Sequence, residues 1–136
     1  MEEARRKLEN LKRAYTRLLE VLEFYDPHEL DIALDATIQR FEFTFEQAWK
    51  AIKKFVQLTG LEECNSPRGC LKLAYRLGWI EDQERWLALL EARNLTSHTY
   101  DVAVAWRVYE LIKKNHRAFE NLIDKLEEMF REPHFN

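Results

Sequence analysis

The segment Arg40-Phe41-Glu42-Phe43-Thr44-Phe45-Glu46-Gln47-Ala48-Trp49-Lys50 points to a helical fold. It lies inside a longer run where Leu34, Ile38, Phe41, Phe45, Ala48, Ile52 and Phe55 recur at spacings of three and four. That period is one face of an amphipathic helix. Asp26-Pro27-His28-Glu29 predicts where the helix starts. Asp26 is the N-cap, Pro27 fits the first helical position, and Glu29 completes a capping box with Asp in place of Ser or Thr. Gly60 predicts its end.

Working outward, a first helix is expected from about Glu2 to Glu23, on the stripe Ala4, Leu8, Leu11, Tyr15, Leu18 and Leu22. Ser66-Pro67 repeats the start signal for a third, shorter helix that stops near Gly78. Glu81-Asp82 opens a fourth, through Trp86, Leu89 and Leu90. Asp101 is the N-cap of a last helix whose stripe runs from Val104 through Val108, Leu111, Asn115, Phe119, Leu122 and Leu126 to Met129, ending near Arg131. The tail Glu132-Pro133-His134-Phe135-Asn136 is expected to fray. The aromatics Phe41, Phe45, Trp49, Trp86 and Phe119 read as core. Long amphipathic helices with short connections predict an all-α, antiparallel up-and-down bundle with a four-helix-bundle core and about five helices. At 136 residues the chain is expected to be one domain, 1–136.

Composition narrows the function classes. The chain is 46% hydrophobic and 33% charged, the balance of a folded domain rather than a disordered one. Three glycines and three prolines leave little for a turn-rich β protein. The apolar runs are far too short for a membrane span, and Met1-Glu2-Glu3-Ala4-Arg5-Arg6 opens no signal peptide, so a cytoplasmic location without membrane contact is expected. A net charge of -3 argues against a general nucleic-acid coating protein but leaves room for a local basic cleft. Cys64 and Cys70 flank Ser66-Pro67 closely enough to meet, yet two cysteines make no disulfide scaffold, and free thiols are expected. His28, His98, His116 and His134 are scattered, so no metal site is expected. Arg68, Lys72 and Arg76 form a short basic stripe, read either as a solvated face or as a contact for an RNA backbone or acidic partner.

One run breaks the pattern of packing. Arg93-Asn94-Leu95-Thr96-Ser97-His98-Thr99-Tyr100 gathers hydrogen-bonding and titratable groups at the end of the fourth helix. On a helical wheel Trp86, Leu90, Arg93 and Ser97 fall within about 60° of one another, so a guanidinium continues an apolar stripe. It needs a carboxylate, a cleft or a partner chain. The bland alternative is a buried ion pair at Arg93, a helix-end cap at His98 and a packed Tyr100.

The spacing Arg-x4-His-x-Tyr at Arg93, His98 and Tyr100 resembles the signature of the HEPN superfamily, small helical bundles of prokaryotic toxin–antitoxin and RNA-cleaving defence systems. The block from Arg40 to Lys50, Ser66-Pro67-Arg68, and Glu91-Ala92-Arg93 through Asp101 resemble its nucleotidyltransferase substrate-binding branch. The resemblance implies a homodimer in which two motifs share one cleft, and a partner: a separately encoded minimal nucleotidyltransferase. The chain has no Gly-Ser loop with paired aspartates of its own, and Asp31 and Asp35 read as exposed surface.

For active members the resemblance implies metal-independent RNA cleavage, without a cofactor, with Arg93 and His98 as catalytic residues. Asn94, Ser97 and Tyr100 are the implied substrate-binding residues, and Tyr100 is the implied acceptor of AMP from the transferase. Glu42 and Glu46 are candidate carboxylates for Arg93. A non-catalytic subunit that binds a nucleotide or other substrate for the transferase is the alternative. An interaction protein whose motif only stabilises the dimer is a third reading.

Overall fold

The computed structural model describes residues 1–132, so the expectation for the tail at 133–136, His134 included, lies outside the described residues. The elements are α1 (Glu2–Phe24), α2 (Ile32–Thr59), α3 (Pro67–Arg76), α4 (Gln83–Leu95), a 3-10 turn (Thr96–His98), α5 (Val102–Asn115) and α6 (Arg117–Phe130). The all-α expectation holds, and there is no strand among the described residues. No described helix is long and apolar enough to cross a membrane.

Periodicity explains what is buried. Leu34, Ile38, Phe41, Phe45, Ala48, Ile52 and Phe55 all lie in the core. α1 and α2 are antiparallel. Lys54 Nζ meets Glu3 at 2.9 Å near one end, and Arg40 Nη1 donates to the Arg17 carbonyl at 2.8 Å near the other. Arg107 of α5 reaches back to Glu91 of α4 at 3.1 Å. At the centre Phe119 of α6 meets Phe41 at 6.1 Å and takes Trp86 edge-on at 5.5 Å between ring centroids. Each such ring removes a large apolar area from water.

Local chemistry sets the helix ends. The Ser66 hydroxyl accepts from the Gly69 N–H at 3.1 Å, and Asp82 and Asp101 cap α4 and α5 in the same manner. A β-carbon at position 69 would lie 2.9 Å from the Ser66 hydroxyl, so this tight cap favours glycine there. Gly60 ends α2 at φ 67°, in the left-handed region.

Three expectations are corrected. First, Asp26 does not cap α2. It closes a separate turn, its carboxylate accepting from the His28 N–H at 2.9 Å and its carbonyl from the Glu29 and Leu30 N–H groups. α2 begins at Ile32, because His28, Glu29 and Leu30 are exposed and the core-facing stripe starts only at Ala33 and Leu34. Second, the last helix is two, interrupted at His116, so there are six helices among the described residues. The Asn115 amide donates to the Leu111 carbonyl at 2.8 Å, competing with the backbone ladder just where Tyr15 takes hold of His116. Third, Cys64 and Cys70 are joined in a disulfide, with their α-carbons 5.0 Å apart. The capped first turn of α3 folds the chain back and brings both side chains into the same buried space.

Candidate active site

Arg93 sits in the last turn of α4, where a cation complements the carbonyl end of the helix. Its wheel position is the expected one: Trp86 and Leu90 are buried, Arg93 is half-buried, and Ser97 is exposed. Of the two candidate carboxylates, Glu46 meets the guanidinium, Arg93 Nη2 lying 3.2 Å from Glu46 Oε1. Glu42 stays exposed and forms no ion pair among the described residues. The other Glu46 oxygen accepts from the Trp49 indole N–H at 3.1 Å, with Lys50 Nζ at 3.9 Å. Arg93 and Glu46 keep 38% and 35% of their side-chain surface in water, so the pair orients more than it stabilises.

Beyond Arg93 the chain tightens into the 3-10 turn. The Thr96 hydroxyl donates to the Arg93 carbonyl at 2.7 Å, and the Thr99 hydroxyl donates to the Thr96 carbonyl at 3.2 Å. These two threonines satisfy carbonyls that a helix end otherwise leaves to water. The polar run therefore has two parts. Thr96 and Thr99 hold the turn, while Asn94 at the end of α4, Ser97, His98 and Tyr100 are exposed. The His98 and Tyr100 rings approach edge to face at 6.2 Å between centroids. Tyr100 is 84% exposed, which excludes the packed alternative for it. Asp101 then starts α5, its carboxylate accepting from the Ala103 and Val104 N–H groups.

The Trp49 hydrogen bond to Glu46, which extends the Arg93–Glu46 pair, is the part that sequence reading missed. Trp49, expected in the core, is half-buried, with its N–H turned to Glu46. The one local signal is the spacing of Glu46, Trp49 and Lys50, which puts all three on one side of α2. Among the described residues no group of three or more His, Cys, Asp or Glu side chains could hold a metal ion. In the basic stripe of α3, Arg76 pairs with Glu62, while Arg68 and Lys72 are exposed beside an apolar groove of Leu71, Ile80 and Leu90.

Several known proteins share this fold. A Thermus thermophilus protein of known crystal structure superposes with a TM-score of 0.77 at 31% identity, covering 85% of this chain and 98% of that one. HI0074 of Haemophilus influenzae, described as the fold of a substrate binding domain of a nucleotidyltransferase, superposes at 0.73 with 27% identity over 88% and 98%. A mutant of the toxin–antitoxin MntA–HepT superposes at 0.74 over 94% and 99%, and at 18% identity it shows the fold alone. In sequence, the probable ribonuclease HepT of Haemophilus influenzae is 35% identical over 86 residues, 60% of this chain and 59% of that relative. The match thus spans about three-fifths of that relative's length. Residues 6–128 match the family described as nucleotidyltransferase substrate binding protein like, and the chain belongs to that family.

Proposed function

We propose that this protein is the HEPN-type partner of a separately encoded minimal nucleotidyltransferase in a two-component, toxin–antitoxin-like system, and that it is a metal-independent endoribonuclease. The observation that carries this reading is the exposed turn after α4, where His98 and Tyr100 face solvent in edge-to-face contact just beyond an arginine already oriented by Glu46. The HepT relative, named a probable ribonuclease, supports it.

RNA carries its own nucleophile, so the protein need only move protons and hold charge. His98 takes the proton of the 2′-hydroxyl as that oxygen attacks phosphorus. The bond to the 5′-oxygen breaks, that oxygen takes a proton from the second histidine of the dimeric cleft or from water, and a 2′,3′-cyclic phosphate remains. Arg93 stabilises the charge that builds on the phosphoryl oxygens. Glu46 engages one of its guanidinium nitrogens, leaving other N–H donors for phosphate. Asn94, Ser97 and Tyr100 line the same turn and bind the substrate. A homodimer that brings two such turns together supplies two arginines and two histidines to one cleft. Transfer of AMP from ATP by the partner transferase to the exposed Tyr100, with release of pyrophosphate and the phenol proton, silences the site by placing a bulky anion near Arg93.

The second reading is a non-catalytic subunit that binds a nucleotide or other substrate for the transferase. The family description and that of HI0074 favour it. Incubating wild-type and His98→Ala protein with mixed RNA in excess EDTA separates the two. Cleavage by the wild type alone, leaving 2′,3′-cyclic ends, is the expected result. An inert wild-type protein that is folded, dimeric and unmodified at Tyr100 by mass spectrometry would transfer the assignment to the binding subunit.

A further inference from the structure

A cleft between α1 and α2 concentrates positive charge on a chain whose net charge is -3. Lys7 enters from α1, and Lys50, Lys53 and Lys54 from α2, with Trp49 in the wall and Glu3 at the edge. Glu3 holds Lys54 at 2.9 Å, and that hydrogen bond draws the Glu3 carboxyl below its ordinary pKa. Lys50 shares Glu46 with Arg93. Lys7 and Lys53 are half-buried and take no ion pair among the described residues. Neither ammonium is held by a carboxylate at ion-pair distance among the described residues, the nearby Glu3 being hydrogen-bonded to Lys54, so both remain open to a bound anion.

We infer that this cleft, with Lys7 and Lys53 as its free cations and Trp49 as its wall, binds the backbone of single-stranded RNA and leads it to Arg93. The inference rests on the RNA-cleavage reading above and extends it to a binding track. Three features select this ligand. Four lysines in one cleft suit a chain of phosphates better than a single nucleotide. The Trp49 N–H is already satisfied by Glu46, so the indole contributes its apolar ring, and an aromatic ring in a basic groove is a platform for an unstacked base. Duplex RNA hides its bases and would leave that platform idle. Glu46 links the cleft wall to the motif, bonded to Trp49 on one oxygen and Arg93 on the other, so the track runs toward the proposed chemistry.

The test is fluorescence anisotropy of a labelled single-stranded oligouridylate across a salt series, in a His98→Ala background that prevents cleavage. The double substitution Lys7→Gln/Lys53→Gln should weaken binding several-fold and flatten the slope of log K against log salt by about 0.7 per lysine. Lys7→Arg/Lys53→Arg should restore the slope. Lys113→Gln/Lys114→Gln, an equal change of net charge on α5, should leave it unaltered. An unchanged slope in the Lys7/Lys53 variant, an equal fall in the Lys113/Lys114 control, or no binding at all would overturn the track. Cleavage by the wild type with an unchanged slope would remove the cleft and keep the ribonuclease. A flattened slope without cleavage would keep the cleft and remove the ribonuclease.

Discussion

Two histidines in this chain each stand next to a tyrosine, and their surroundings differ. His116, at the joint of α5 and α6, shares a 2.9 Å hydrogen bond between its Nδ1 and the Tyr15 hydroxyl. Burial pushes the Tyr15 phenol up to about 12, so it keeps its proton. Burial also lowers the His116 pKa, which favours the neutral ring. Phe119 packs against the same tyrosine at 5.8 Å. His98 instead sits on an exposed turn against an exposed Tyr100. The same two residue types form a structural joint where the core covers them, and a candidate reaction site where it does not.

The largest effect that tests this contrast is on packing at the joint. Phe119→Ala should cost about 3–5 kcal/mol in denaturant unfolding, since its ring is fully enclosed beneath Tyr15, Phe41 and Trp86. A loss near that of an ordinary surface substitution would break the assignment of this region as the structural one.

Next comes the chemistry. His98→Ala should reduce RNA cleavage about 10²–10⁴-fold while leaving the melting temperature unchanged. His116→Ala should show the reverse, with lower stability and an intact cleavage step per folded dimer. If both substitutions lowered only stability, the contrast would fail.

A smaller effect concerns pH. His116 binds its proton less readily when folded than when unfolded, so the unfolded chain holds more protons across the window between the two pKa values. Its contribution to stability is present in full above about 6.5, the ordinary histidine pKa. It is lost as pH falls from there through the lowered folded value. Unfolding free energies measured at about pH 7.5 and about pH 5.5 should therefore differ more for the wild type than for His116→Gln. His98→Ala should keep the wild-type difference, and identical slopes in all three proteins would contradict the buried, neutral ring.

The smallest effect is at the Arg93–Glu46 pair. Both side chains are over a third exposed, so a double-mutant cycle with Arg93→Ala and Glu46→Gln should give a coupling below about 1 kcal/mol in stability. A coupling of several kcal/mol would mean that the motif serves the fold, which is the interaction-protein reading.

Much of this could be read before the structure. The core stripe of α2 was legible because burial follows the helical period, and residues three or four apart share a face whatever the rest of the chain does. The caps at Ser66, Asp82 and Asp101 were legible because each is satisfied within three residues. Asp26 carried the same local signal and misled, because an aspartate that accepts from nearby N–H groups serves a turn as readily as a helix start. Of the site, the order Arg93, His98, Tyr100 and the candidate Glu46 were legible, while the Trp49 and Lys50 contacts to that carboxylate were not.

By itself, then, the sequence determined the helices, most of their ends, the face each one buries, and the identity of the polar run after α4. These depend on hydrogen bonds and periodicities a few residues long. Tertiary structure alone decided that the last helix breaks where Tyr15 binds His116, that Cys64 and Cys70 bond, and that Glu46 rather than Glu42 takes Arg93. It also decided that Lys7 and Lys53 from separate helices share one cleft. Each of those outcomes depends on how the folded chain returns to itself, and a contact between groups distant in sequence leaves no period or cap to read.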